Sequence, residues 1–334
     1  MITKNRLVYG LIALLALPAL ESFAGTADFS VELLNTFDYP VPPLSTQPQK
    51  ISDRGAVVGV VIDFSGVTSG FVRFPNGHFS SPLVDPLDGA NVTQGRGINN
   101  SLEICGNYTD SGGSSHGFFA QGMTFYNYDV PGTTFTVVLG LNNAGDFCGS
   151  DIPASGVQSG FLNVGGALTE FVVADATATL AYQLNSSNQA AGYYIDASGI
   201  THGYYRDSDG SIVAPIDPAG STGTIVFGNN DANYIVGRYA DSSGLTHGFV
   251  FLPPDTYVTY DFPGSTFTSL NGISNNGSII GRYLDNSGIE HGLYARLVGG
   301  SDGSIRGTIP QRQPAQTNAG NPFTGRGQVV EPAR

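Results

Sequence analysis

Four of the chain's five histidines recur at one place. His116, His202, His247 and His291 each precede a Gly and follow another Gly by ten residues. Ser69 and Ser159 hold that place in two further copies. Imidazoles converging on one axis could act as metal ligands or bases. The copies are about 44 residues apart and so belong to separate structural units. The favoured reading is one structural job done four times, a His–Asp or His–backbone hydrogen bond tying neighbouring strands. Asp38, Asp85, Asp129, Asp175, Asp217 and Asp261 also repeat. A catalytic carboxylate pair is needed once per protein, so these read as turn residues.

Specific chemistry is expected where the copies differ. Arg238 and Arg282 follow the first Gly of their copies, where the others carry Val60, Asn107, Ser150 and Tyr193. Glu103 and Asp146 are charged where Ala56 and Ser278 stand elsewhere. These four are the candidate binding residues, expected to flank the mouth of a central channel. Cys105 and Cys148 share one place, before the first Gly, where other copies have Val58, Ala191, Val236 and Ile280. Two Cys in an exported chain invite a disulfide. Their apolar company argues instead for buried thiols. Both options stay open at the level of sequence. No phosphate loop, zinc-ligand spacing or nucleophile elbow is present, so no cofactor or metal is expected.

The elements that position these residues come from a repeat. The template Gly-x-Tyr-x-Asp-x-x-Gly-x-x-His-Gly-Phe begins at Gly59, Gly106, Gly149, Gly192, Gly237 and Gly281, with steps of 47, 43, 43, 45 and 44 residues. An apolar run precedes each first Gly, and an Asn-rich turn usually lies upstream of it. Asp-x-x-Gly is a tight turn, so each copy reads as a β-hairpin. Between hairpins come strand, Asp with Pro or Gly, and strand, as in YDVPG (128–132), IDPAG (216–220) and YDFPG (260–264). VDPLDG (84–89) is a looser copy and VADAT (173–177) a poor one. Four short strands per period match one blade of a β-propeller.

Six hairpin halves are followed by only five Asp-Pro halves, and FDYP (37–40) supplies a sixth from the start of the chain. The expectation is an all-β, six-bladed β-propeller over 25–300, closed by an N-terminal strand segment that leaves no free sheet edge. An open solenoid would need no such complement. A ring closed by its own chain is expected to be a monomer. The recurring Gly marks close approach of a neighbouring backbone or side chain.

The pattern NNxGxIVGxYxDxxGxxHGF is carried by Asn275–Leu293, Asn229–Phe249 and Asn99–Phe118, with a DxPG strand between copies. It resembles the bacterial extracellular HAF-type repeat family over about residues 30–298. This chain has His-Gly-Phe where that family is named for His-Ala-Phe. The resemblance implies export and a propeller-like repeat. It implies no reaction and assigns no functional residues.

Residues 1–24 read as a signal peptide. Lys4 and Arg6 precede the apolar run Leu7–Leu20, and Ser22-Phe23-Ala24 offers small residues for cleavage. Residues 301–334 are rich in Gln, Asn, Pro, Gly and Arg and read as a disordered tail. The formal net charge is −13, with 27 acidic against 14 basic residues, which repels nucleic acid and anionic membrane surfaces. After signal cleavage no membrane span is expected. The expected product is a secreted, periplasmic or cell-surface binding module that is not an enzyme and takes an unknown protein or glycan. The alternatives are an exported glycan lyase or hydrolase, or a lectin that stacks sugars on Tyr in the absence of Trp.

Overall fold

The computed structural model describes residues 29–40, 43–299 and 329–330. The expected signal peptide lies outside these residues, as does the expected disordered tail apart from Val329–Val330. The chain opens with β1 (Ser30–Phe37). Blade 1 is β2 (Pro43–Ile51), β3 (Val57–Asp63) and β4 (Thr68–Arg73). Blade 2 is β5 (Thr93–Ile98), β6 (Glu103–Thr109), β7 (Ser115–Gln121) and β8 (Thr124–Tyr128). Blade 3 is β9 (Thr136–Leu141), β10 (Phe147–Asp151), β11 (Ser159–Val164) and β12 (Ala167–Phe171). Blade 4 is β13 (Ala178–Leu184), β14 (Ala190–Ile195), β15 (Thr201–Arg206) and β16 (Ile212–Ile216). Blade 5 is β17 (Gly223–Asn229), β18 (Ile235–Ala240), β19 (Thr246–Leu252) and β20 (Thr256–Tyr260). Blade 6 is β21 (Thr268–Ile273), β22 (Ser278–Leu284) and β23 (Glu290–Val298), and β24 (Val329–Val330) follows. No described helix is long and apolar enough to cross a membrane.

Each blade is an antiparallel meander whose first strand lies innermost. The second strand of every blade packs on the first strand of the next, and β22 packs on β2 to complete the circle. The molecule is a six-bladed β-propeller. The fourth strand of blade 6 is β1, antiparallel to β23 from Ser30 opposite Val298 to Phe37 opposite Gly292. The closing strand therefore comes from the opposite end of the repeat region. In blade 1 the fourth position is only bridged, Gly70 to Leu83 and Arg73 to Phe79, which fits its looser sequence copy. Val329–Val330 pair with Tyr126 and Phe125 on the outer edge of β8.

The recurring Gly has a specific cause. Every innermost strand carries a register shift that leaves one residue without a partner on the second strand: Gln49, Arg96, Leu139, Tyr182, Phe227 and Asn271. Such a bulge tightens the local twist and re-aims its side chain. It also pushes a carbonyl into the space beside the Gly across the ladder. A Cβ on Gly106, Gly149, Gly192 or Gly281 would lie 1.9–2.1 Å from the oxygen of Gln94, Val137, Leu180 or Ser269. The Gly after the His serves a different contact. A Cβ on Gly117 or Gly203 would lie 2.7 Å from Val138 or Val226 of the next blade. Bulge and glycine are thus one device, which lets strands crowd together at the axis.

Candidate functional site

Two different ends of the axis result. Where the inner strands finish, the Asn-rich turns form a ring that links the blades. The side-chain amides of Asn99, Asn142, Asn185 and Asn230 donate to the backbone oxygens of Asn142, Asn185, Asn230 and Ser274, each in the next blade, at 3.1–3.4 Å. Asp53 closes the circle, accepting from Asn275 N at 2.8 Å and from the Nδ2 of Asn275 and Asn100 at 3.1 Å. In sequence these residues signal only turns. Their job as fasteners between blades appears once equivalent turns meet around the axis.

Glu103 and Asp146 belong to this end. Glu103 accepts from Asn99 Nδ2 at 3.0 Å, while Asp146 accepts from Asn142 Nδ2 at 3.3 Å and from Gly165 N at 2.8 Å. Arg238 and Arg282 lie about four residues further along equivalent strands, roughly 13 Å away at the usual strand rise. The four expected binding residues therefore do not share one mouth. Two stand in the Asn ring and two near the end where the inner strands begin.

That second end gathers most of the aromatic and cationic departures from the repeat. Tyr182 packs against Tyr193 with ring centroids 5.6 Å apart and meets Phe227 edge-on at 5.3 Å. The Arg238 guanidinium carbon stands 5.4 Å from the Phe227 ring and 5.2 Å from that of Phe267. Arg282 covers Phe267 at 5.5 Å and pairs with Glu290 at 3.3 Å. Glu290 also accepts from Ser45 Oγ and from Gln47 Nε2. Arg96 bonds Gln94, and reaches Asn107 Oδ1 and Gln49 Oε1 at 3.4 Å. Blades 3 and 4 add an apolar wall of Phe135, Val137, Leu139 and Leu180. Lys50 lies deeper, fully buried, donating to the oxygens of Phe227 and Asn271. Gly97, Gly140, Gly228 and Gly272 occupy the places equivalent to Lys50.

The charges in this funnel act on one another. Burial, the largest influence, brings Arg282 down to about 10, with Glu290 opposing it and Arg238 and Arg96 adding to it. Burial likewise lowers that of Arg238. Burial, with the Arg96 charge adding to it, brings Lys50 down to about 7. Burial raises the Tyr193 hydroxyl well above its ordinary value. Sequence comparison between copies found Arg238 and Arg282 but missed Arg96, Lys50, Tyr182, Tyr193 and Glu290. Glu290 carried a readable signal, because the residue before the His is Thr68, Ser115, Gln158, Thr201 or Thr246 in the other copies. Arg96 and Tyr182 sit at the bulge, which no local pattern discloses.

The four His lie away from the funnel, on the third strands of blades 2, 4, 5 and 6. Each ring bridges two carboxylates. Nδ1 faces Asp129, Asp217, Asp261 or Asp38 at 2.6–3.0 Å, and Nε2 faces Asp110, Asp196, Asp241 or Asp285 at 3.3–3.5 Å. A Tyr stacks on each ring: Tyr108, Tyr194, Tyr239 and Tyr283. The partner of His291 is Asp38, supplied by the N-terminal segment. Burial opposes the charged ring, but the paired carboxylates outweigh it and raise all four pKa values.

Cys105 and Cys148 form no disulfide; both are buried thiols. They lie in separate apolar clusters, one with Phe119 and Val138, the other with Leu162 and Leu184. Equivalent places on neighbouring blades point into successive blade interfaces, so the thiols do not meet. Burial pushes Cys148 up to about 12. Among the described residues, no group of three or more His, Cys, Asp or Glu is placed to hold a metal ion.

No family model and no curated protein matches the chain. Among solved structures it is similar to a six-bladed β-propeller lectin from the fungus Aleuria aurantia, at 10% identity and a TM-score of 0.47, covering 87% of this chain and 98% of that one. It is also similar to AofleA from Arthrobotrys oligospora, at 11% and 0.47, covering 82% and 83%. TolB from Acinetobacter baumannii matches at 9% and 0.46, covering 81% and 66%. At these identities and TM-scores the likeness carries no functional argument.

Proposed function

We propose that the protein is an exported, non-enzymatic binding propeller that takes a glycan in the axial funnel lined by Tyr182, Tyr193, Arg96, Arg238 and Arg282. One observation carries this reading. The places shared by all copies do structural work in bulges, hairpins and the Asn ring, while Arg96, Tyr182, Tyr193, Arg238, Arg282 and Glu290, which break the repeat and stay partly exposed, gather at one end of the axis. Holding several like charges together at the axis is costly, since each is partly removed from water. Aromatic faces together with the amides of the partly exposed Gln47 and Gln94 are the groups that bind sugar rings and hydroxyls.

The test is a glycan array probed with the wild type and with the double variant Arg238→Ala/Arg282→Ala. Retention of a defined glycan set by the wild type and loss by the double variant, at an unchanged thermal midpoint, is expected. Identical patterns from the two proteins would overturn the reading. Depolymerisation of a retained glycan, abolished in the double variant, would replace the binding module with an enzyme.

A further inference from the structure

Arg238 differs from the other cations of the funnel. Arg282 has Glu290, Arg96 has three amides, and Lys50 has two backbone oxygens. The Arg238 guanidinium makes no hydrogen bond or ion pair to any described residue, and its close contacts are the rings of Phe227 and Phe267. This is no shortage of acids, because the chain holds 27 against 14 bases. The two phenyl rings lie against the guanidinium, and its N–H groups find no acceptor among the described residues. Arg282 and Arg96 lie close enough for their charges to be felt at the same place. The single carboxylate they hold, Glu290, is turned to Arg282, Ser45 and Gln47.

Resting on the axial reading above, we propose that Arg238 is the receptor for the carboxylate of an acidic saccharide, a uronate, whose ring lies against Tyr193. A guanidinium fork matches a carboxylate with two parallel N–H···O bonds. Fixed between aromatic rings, it loses little freedom on binding. The Tyr182–Tyr193 pair supplies the ring face, and the partly exposed Gln94 offers its amide to a hydroxyl. Glu290 then sets selectivity, since it repels a second acidic group beside Arg282.

Calorimetric titration with three probes tests this: trigalacturonate, its neutral methyl ester, and inorganic sulfate. The acid is expected to bind, the ester about ten-fold or more weaker, and the acid's affinity to fall with added salt. Arg238→Gln is expected to weaken the acid by about ten-fold or more while the thermal midpoint stays within about 2 °C. Arg238→Lys should recover part of the loss, and Glu290→Gln should tighten the acid. Equal binding of acid and ester, both lost on Tyr193→Ala, would remove the carboxylate assignment and leave the axial site standing. Unchanged acid affinity in Arg238→Gln would likewise remove the assignment. Binding of sulfate without the saccharide would overturn the uronate as ligand. Binding of no probe by the folded protein would overturn the proposal, and failure of the glycan array as well would take the axial reading with it.

Discussion

Replacing Gly149 by Ala adds one methyl group at the place where the bulge of β9 crowds β10. That carbon would lie 1.9 Å from the Val137 carbonyl oxygen and 2.7 Å from Phe161 Cζ. Real Cβ atoms do not approach closer than 3.0 Å, so the carbonyl or the strand must retreat by about 1 Å. The oxygen is backbone within the ladder and cannot rotate away. Overpacking of this kind costs about 1–3 kcal/mol, and a weakened ladder bond adds about 1 kcal/mol. The reduced freedom of the unfolded chain returns about 0.4–1 kcal/mol. The net is roughly 1–3 kcal/mol, or a thermal midpoint lowered by about 2–5 °C for a domain of this size. Gly228→Ala is the control, because its Cβ would lie 3.3 Å from Asn271 O and 3.5 Å from Val236. It should cost clearly less than Gly149→Ala, since a shift of a few tenths of an ångström relieves its contact. Thermal unfolding of both variants followed by circular dichroism reads the difference. A Gly149→Ala protein as stable as wild type, or a Gly228→Ala protein equally weakened, would refute the link between bulge and glycine.

Three further outcomes are expected. The four His have folded pKa values above their unfolded value of about 6.5, so their stabilisation is complete below that pH and is lost as pH rises through the folded values. Burial raises Asp85 to about 6 and Asp151 to about 7, which gives a loss of the same sign starting at lower pH. Urea midpoints should therefore fall from pH 6 to pH 8, with a shallower slope in His247→Gln. Asp53→Ala removes three hydrogen bonds joining blades 6, 1 and 2. It should cost about 1–3 kcal/mol by denaturant titration, reduced from the sum of the bonds because Asp53 is partly exposed. Phe37→Ala strips the ring that β1 lays beside Gly292 and under Arg73, whose guanidinium carbon is 4.8 Å away. A loss of about 1.5–3 kcal/mol is expected, read as a lower thermal midpoint, since this ring joins blade 6 to blade 1.

Period, hairpin and turn chemistry were legible in the chain because they are local: Asp-x-x-Gly makes its turn whatever surrounds it. The closing strand was legible too, since counting halves left FDYP (37–40) as the missing complement, and Asp38 does face His291. Arg238 and Arg282 stood out by comparing each copy with the others. Their separation from Glu103 and Asp146 did not, because equivalent strands carry them to opposite ends of the axis. Only the assembled ring sets Arg96, Tyr182 and Phe227 in one funnel. Their bulge arises where six inner strands crowd together, a constraint that no single copy contains. The same holds for the two thiols, which share a place in the repeat and for that reason face different interfaces.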